Sequence, residues 1–332
     1  MRAPHEVLPS DEGRHEPDAE DLWNESYYCD FVSADGTLGG WLRLGLYPNR
    51  EVAWWTTWIV RPRTEHSPGA PGICSVDYRA PVPPGDTLVS ESPLRDRSGG
   101  RIEIDLRRPL EEFRLAAHVP ATVVADPADV YTKGEHDAGP AADLDLDLTW
   151  TTDGSAYHYE LTTRYEIPCL VSGTVTIDGE TFTVDGQGQR DHSWGVRDWW
   201  AFGWCWCSMR LDDGTRVHLA DIRIPDMPVF FGYIQTPGKV NPVTALSVTE
   251  AVGEDGFPTS ARIQIAAAPE HDIGLEVTPL AFGPVLLRDD NPAPGTEPRT
   301  SRFPRALVSC RADDGRTGAG WIEWNQPEPP AA

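Results

Sequence analysis

The densest run of reactive side chains extends from Gly186 to Trp200, GQGQRDHSWGVRDWW. Between positions 190 and 200 it holds two Arg, two Asp, one His and three Trp. Charged groups among large aromatics need partners, because an unpaired buried charge is costly. If 190–194 is extended, Arg190, His192 and Trp194 share one face, and Asp191 and Ser193 share the other. Downstream, Phe202, Trp204, Trp206 and Ser208 alternate with Ala201, Gly203, Cys205, Cys207 and Met209. An aromatic wall beside an acid, a base and two guanidiniums suits a large apolar ligand. The chemistry would be proton transfer. Asp191 would protonate an alkene or a leaving hydroxyl, which requires an apolar surround that raises its pKa. His192 would orient Asp191 or serve as the conjugate base. Trp194, Trp199, Trp204 and Trp206 would shape the cavity and stabilise developing positive charge, worth roughly 0.5–2 kcal/mol each. Arg190 and Arg197 would pair with Asp198 or hold a substrate oxygen. An Arg beside Asp191 would lower its pKa. If Arg197 pairs with Asp191, the acid becomes Glu323 or Glu160. Glu323 shares a strand face with Trp321 in the run Gly320-Trp321-Ile322-Glu323-Trp324-Asn325.

Plainer readings compete with this one. The charged residues could be buried ion pairs that lock two halves together. The Trp residues could be core, and Glu323 an exposed strand charge. Ser193 beside His192 lacks the G-x-S-x-G elbow of a Ser hydrolase. No H-x-x-x-H or H-E-x-x-H occurs among the nine His, and Cys205-x-Cys207 has no second Cys pair, so the spacing argues against a zinc site. Asp143, Asp145 and Asp147 alternate with Leu144, Leu146 and Leu148, a strand with a wet face rather than a calcium loop. Gly186-x-Gly188 lacks the third Gly and the helix of a dinucleotide fingerprint. The expectation is therefore no cofactor and no metal.

The elements that position these residues read as β. Gly 30 and Pro 31 are too much punctuation for long helices. Asp-Gly pairs at 35–36, 153–154, 178–179, 213–214, 255–256 and 314–315 are hairpin turns in waiting. From Tyr157 to Ile167 apolar and polar positions alternate, predicting one strand with a wet face carrying His158, Glu160, Thr162, Arg164 and Glu166. Other strands are predicted at Gly40–Tyr47, Val52–Val60, Arg101–Leu106, Phe113–His118, Leu144–Trp150, Ala201–Leu211, Arg262–Ala267 and Gly318–Trp324. Many short strands with turn signals mean an all-β sandwich or barrel, and eight to ten strands can enclose one ligand. A Gly-rich turn into a Trp-led strand occurs twice, at 35–43 and 314–323, and hints at two related halves. The division predicted is a polar tail over 1–20, a domain over 21–167, a second over 168–326, and a tail over 327–332.

Composition removes several function classes. Lys and Arg total 28 against 52 Asp and Glu, a net charge of −24. So acidic a surface repels phosphate backbones and anionic lipid, so neither nucleic-acid binding nor membrane attachment is expected. No apolar run approaches the roughly 20 residues of a membrane helix, and the start has no signal-peptide stretch. A cytoplasmic protein with buried thiols at its six Cys positions is expected. Nothing in the sequence points to an oligomeric state.

The run Gly188-Gln189-Arg190-Asp191-His192-Ser193-Trp194-Gly195-Val196-Arg197-Asp198-Trp199 resembles the central signature of the carotenoid 1,2-hydratase/AttH-like superfamily. Trp23-Asn24-Glu25-Ser26-Tyr27-Tyr28 and Gly320–Asn325 also fit that branch, so the resemblance spans about 21–326. It implies two consecutive lipocalin-like β-barrels or half-barrels with a ligand cavity near their junction. It also implies cofactor-free chemistry such as alkene hydration or cyclisation. Asp191, His192 and Trp194 are the positions it carries over. The resulting expectation is an enzyme on a lipophilic isoprenoid, steroid or polyketide, acting by hydration, dehydration, isomerisation or cyclisation. The alternatives are a carrier of the same hydrophobic small molecule without chemistry, and a cyclase that only folds its substrate.

Overall fold

The computed structural model describes residues 6–65, 67–92, 100–268, 271–289 and 297–328. Two of the nine histidines, His5 and His66, lie outside the described residues. The chain divides into two compact units. One comprises Met1–Ala125 with Glu135–Arg197, the other Asp126–Gly134 with Asp198–Ala332.

The first unit contains β1 (Trp23–Ser33), β2 (Gly39–Tyr47), β3 (Val52–Thr64), β4 (Ser67–Pro81), β5 (Val89–Ser92), β6 (Gly100–Arg108), β7 (Glu112–Val124), β8 (Ala141–Thr152), β9 (Tyr157–His158), β10 (Arg164–Ile177) and β11 (Glu180–Val196). The order β4-β3-β2-β1-β11-β10-β8-β7 closes where β7 pairs with β4, at Gly72 to Val124, Ile73 to Val123 and Cys74 to Thr122. This is an eight-stranded antiparallel barrel, with β6 and β5 continuing from β7. Alternate residues of its strands fill the inside: Tyr27, Cys29 and Phe31, then Leu144, Leu146 and Leu148, then Tyr165, Ile167 and Cys169. The Asp143–Asp147 alternation is thus a barrel strand with a wet face, as its period of two requires.

The second unit contains α1 (Asp129–Lys133) and β12 (Gly203–Leu211), β13 (Arg216–Ile224), β14 (Met227–Thr236), β15 (Lys239–Val252), β16 (Pro258–Ala267), β17 (His271–Phe282), β18 (Val285–Arg288), β19 (Thr300–Phe303), β20 (Arg305–Ala312) and β21 (Thr317–Pro327). Here β12-β13-β14-β15-β16-β17-β20-β21 closes through the β12–β21 pairing, a second eight-stranded barrel. Cys205, Cys207, Met209, Leu219, Ile263, Leu275, Ile322 and Trp324 are in its core. All six cysteines are buried free thiols. Among the described residues no helix is long and apolar enough to cross a membrane.

Five of the six Asp-Gly pairs join antiparallel neighbours: β1–β2, β10–β11, β12–β13, β15–β16 and β20–β21. Only at 178–179 do both residues take positive φ, 49° and 83°, as a two-residue type I′ turn needs. Three sequence expectations need correction. A boundary near Pro168 falls in the middle of β10, which pairs with β11 along its whole length, and the units instead part between Arg197 and Asp198. The single strand over 157–167 is broken: β9 ends at His158, and 159–163 turns before β10 begins, leaving Glu160 exposed. The polar ends are not loose over their described residues. Residues 9–12 form a 3-10 turn whose Glu12 is buried, and Glu328 is tied to Thr300 and Arg302.

Candidate active site

Strand β11 carries two clusters, one on each face, because its side chains alternate. Asp191 sits beside Glu166 of β10 on one side and Tyr28 of β1 on the other, and Tyr28 pairs in turn with Arg43 of β2. Four neighbouring strands therefore set Arg43, Tyr28, Asp191 and Glu166 in a row. Arg164 joins the two acids: its Nη2 donates to Asp191 at 2.8 Å and its Nε to Glu166 at 2.7 Å. Glu166 also accepts from Gln189 Nε2 at 2.7 Å and from the Tyr159 hydroxyl at 3.2 Å. The Arg164 guanidinium lies over the Tyr159 ring. Tyr28 donates to Asp30 at 3.1 Å. Asp191 is 6% exposed and Glu166 is fully buried.

Burial dominates the Asp191 carboxyl and lifts it to about 7. Arg164, Arg197 and Arg43 pull it down, while the charge on Glu166 pushes it further up. The same burial, with the like charges of Arg164 and Arg43, lowers Arg197 to about 10. Burial works against the charge on Arg164, but Asp191 and Glu166 outweigh it and raise its pKa. Two carboxyls around one guanidinium thus differ in environment. Glu166 takes three strong donors, whereas Asp191 is held mainly by one. Asp191 is thus the less firmly anchored of the two acids.

The opposite face of β11 carries Arg190, His192 and Trp194. His192 stacks on Tyr27 with centroids 4.2 Å apart, and Trp194 stacks on His15 at 3.7 Å. Tyr27 belongs to the core of the first barrel, and Trp194 packs against it. Glu25 Oε1 lies 2.8 Å from His15 Nδ1 and 3.1 Å from His192 Nε2. Burial pushes the Glu25 carboxyl up, but the bonds to His15 and His192 together hold it below its ordinary value. Arg190 forms a buried ion pair with Glu12, whose carboxylate also accepts from the Tyr165 hydroxyl at 2.9 Å and from Leu110 N at 3.0 Å. Residues 11–15 therefore bind at three points to side chains of this barrel.

The second unit holds the other expected residues. Asp198 pairs with Arg299 at 2.7 Å, not with Arg190 or Arg197. Trp199 and Trp204 pack around Phe303, with centroid distances of 6.0 and 5.3 Å. Trp204 Nε1 donates to Glu323 at 2.8 Å, and Arg305 forms an ion pair with the same carboxylate. Glu323 is buried, not an exposed strand charge. Trp206 meets His218 edge-on at 5.6 Å, and His218 contacts Tyr233.

The sequence order Asp191-His192 suggested that one orients the other. The alternation of β11 prevents it, and each has its own partners. Arg190 likewise turns to Glu12 because it shares the His192 face. Missed by sequence reading were Glu12, His15, Glu25 and Arg164. For Glu25 a signal existed: the period-two run Glu25, Tyr27, Cys29, Phe31 puts it in line with core residues.

Residues 8–328 match the family described as a domain of unknown function, DUF7064. The chain belongs to that family. No curated protein matches this DUF7064 member by sequence. Its fold is similar to that of an AttH-like protein from Nitrosomonas europaea, at TM-score 0.60 and 16% identity, covering 98% of each chain. It is also similar to kievitone hydratase from Nectria haematococca, at TM-score 0.54 and 11% identity over 98% of this chain and 94% of that one. CghA, solved with Sch210972, matches at TM-score 0.54 and 11% identity over the same shares. At these identities the likeness is one of fold, and the fold of the DUF7064 member is accordingly two lipocalin-like barrels.

Proposed function

We propose that this chain is a hydratase- or cyclase-type enzyme that acts on a small hydrophobic molecule through proton donation by Asp191. The observation that carries the reading is the row of Arg43, Tyr28, Asp191 and Glu166, buried at Tyr28 and at both acids, with Arg164 bridging the two acids. Fold likeness to a hydratase, and to CghA in its complex with Sch210972, supports it.

In the forward direction the Asp191 carboxyl proton passes to one alkene carbon. The electron pair of the double bond forms the new C–H bond and leaves a carbocation at the other carbon. Water adds to that carbon and returns a proton to the Asp191 carboxylate. In a cyclisation an internal double bond takes the place of water, and loss of a proton closes the cycle. Arg164 holds Asp191 in position, and Glu166, anchored by Gln189 and Tyr159, balances the charge of Arg164. Tyr28 and Tyr159 supply ring surface and hydroxyls to the same row. His192, Trp194 and Arg190 support the strand from its other face. Trp199, Trp204, Trp206 and Glu323 belong to the second barrel, where Trp204 and Arg305 hold the Glu323 carboxylate.

The test is incubation with isoprenoids, steroids and polyketides in isotopically labelled water, read by mass spectrometry. Wild type should form a product carrying solvent label, and Asp191→Asn should lose about 10²–10⁴ in rate. Equal conversion by both would remove Asp191 from the mechanism. A compound retained unchanged by both would identify a carrier.

A further inference from the structure

The His15, Glu25 and His192 cluster is separate from the proposed proton donor, because it lies on the other face of β11. Its three potential ligand atoms are within 4.8 Å of one another. They come from the segment before β1, from β1 and from β11. This is why no spacing motif reveals them: Glu25 is 10 residues from His15 and 167 from His192.

The hydrogen bonding of His192 has a consequence. Its Nδ1 lies 2.8 Å from the Asp11 backbone carbonyl, which can only accept, so Nδ1 carries the hydrogen. The other ring nitrogen, Nε2, points at Glu25 Oε1 at 3.1 Å and is the one placed to bind an ion. A cation seated between these atoms would take a lone pair from each. A ring whose far N–H is fixed by a carbonyl is also the usual arrangement of a metal-bound histidine. Both rings are clamped, His192 by Tyr27 and His15 by Trp194. Glu25 and His192 are buried, whereas the His15 side chain is 23% exposed and leaves an approach. Donors about 2.0–2.1 Å from a tetrahedral zinc stand about 3.3 Å apart. The 2.8 and 3.1 Å separations from Glu25 Oε1 need to open by a few tenths of an ångström, and the two imidazole nitrogens lie within 4.8 Å of each other.

We propose that His15, Glu25 and His192 bind one divalent first-row transition ion. Two imidazoles and one carboxylate, with a fourth position left for water or another ligand, match zinc best. The ion joins the segment before β1 to the barrel wall.

The full-length chain is to be freed of metal with a chelator, then titrated with Zn²⁺ and, separately, Co²⁺. One zinc per chain should remain after dialysis, the Co²⁺ form should show the visible absorption of a low-coordinate site, and zinc should raise Tm. His15→Asn, Glu25→Gln and His192→Gln should each weaken zinc binding at least tenfold. Should His192→Gln fail to fold, His15→Asn decides, since His15 lies before the first strand. Its circular dichroism should match that of the metal-free wild type. Substoichiometric zinc, or zinc binding unchanged in His15→Asn, overturns the proposal. So does a His192 Nε2–H resonance in nitrogen-15 NMR that persists with zinc present, which would put a proton where the metal should be.

Discussion

Glu12 gives the sharpest test of how the first barrel is held together, because its ion pair with Arg190 is almost completely buried. The side chains are 1% and 3% exposed. Glu12→Gln keeps the shape and the hydrogen-bonding capacity toward Tyr165 but removes the only negative charge in direct contact with Arg190 among the described residues. The guanidinium then stays in the barrel with little beyond the Phe113 ring, 5.5 Å away, to balance it. Removing one partner of a buried pair costs about 3–5 kcal/mol. For a unit of this size each kcal/mol lowers Tm by roughly 2–4 °C, so a fall of about 6–20 °C is expected. Thermal and urea unfolding followed by circular dichroism measure it. Replacing both partners, as Glu12→Leu with Arg190→Met, should recover much of the loss, since no charge is then stranded. A Glu12→Gln change below about 1 kcal/mol would refute the argument, because an exposed pair costs no more than that.

Three further outcomes are expected. With Asp191 lifted to about 7 by burial, the proposed proton donor is in its acid form below that pH, so kcat/KM should fall as pH rises through 7. The folded state also holds this proton where the unfolded chain has lost it. The associated stability is therefore full below the ordinary Asp range and fades as pH climbs toward 7. Asp191→Asn should flatten both profiles, as activity assays and urea titrations across pH would register. Gly188→Ala would place a methyl carbon 1.9 Å from the Asp30 carbonyl oxygen, forcing β1 and β11 apart. A loss of about 1–3 kcal/mol in urea unfolding is expected, and an unchanged midpoint would contradict the close approach. Trp204→Phe deletes the 2.8 Å bond to the buried Glu323 carboxylate and should cost about 1.5–3 kcal/mol. A double-mutant cycle with Glu323→Gln should show the two changes to be coupled.

What sequence reading captured is local. The period of two sorts Arg190, His192 and Trp194 from Asp191 and Ser193 with no knowledge of the partners. Asp-Gly pairs reveal turns because positive φ is cheap for those residues. What it missed is made at a distance or by context. Strand β4, SPGAPGICSVDYRAP, carries four Pro or Gly residues before its apolar centre and reads as a loop, yet the barrel closes through it. Glu12 and His15 look like solvated tail because polar residues in a Pro-rich stretch give no sign of the strands they meet. The alternation from 157 to 167 is real, but it assigns Arg164 and Glu166 to water. Both are pulled from it by Asp191, Gln189 and Tyr159, which come from other positions of the chain. The double barrel is thus legible as a class, while the pairing of its charges is not.

Helix α1 changes what it means to divide this protein. The chain leaves the first unit after β7, contributes residues 126–134 to the second, and returns to make β8. Tyr131 of that excursion stacks on Phe257, and Arg302 lies over Tyr131. The two units are therefore interlaced along the chain rather than strung end to end. Severing the polypeptide after Arg197 would strand α1 with the wrong half and leave Phe257 without its companion. During synthesis the same helix emerges long before the strands that receive it. It must wait, tethered at both ends to a barrel that cannot close until β11 arrives to pair with β1. A cut or exchange at one point in the sequence therefore cannot separate the two barrels cleanly.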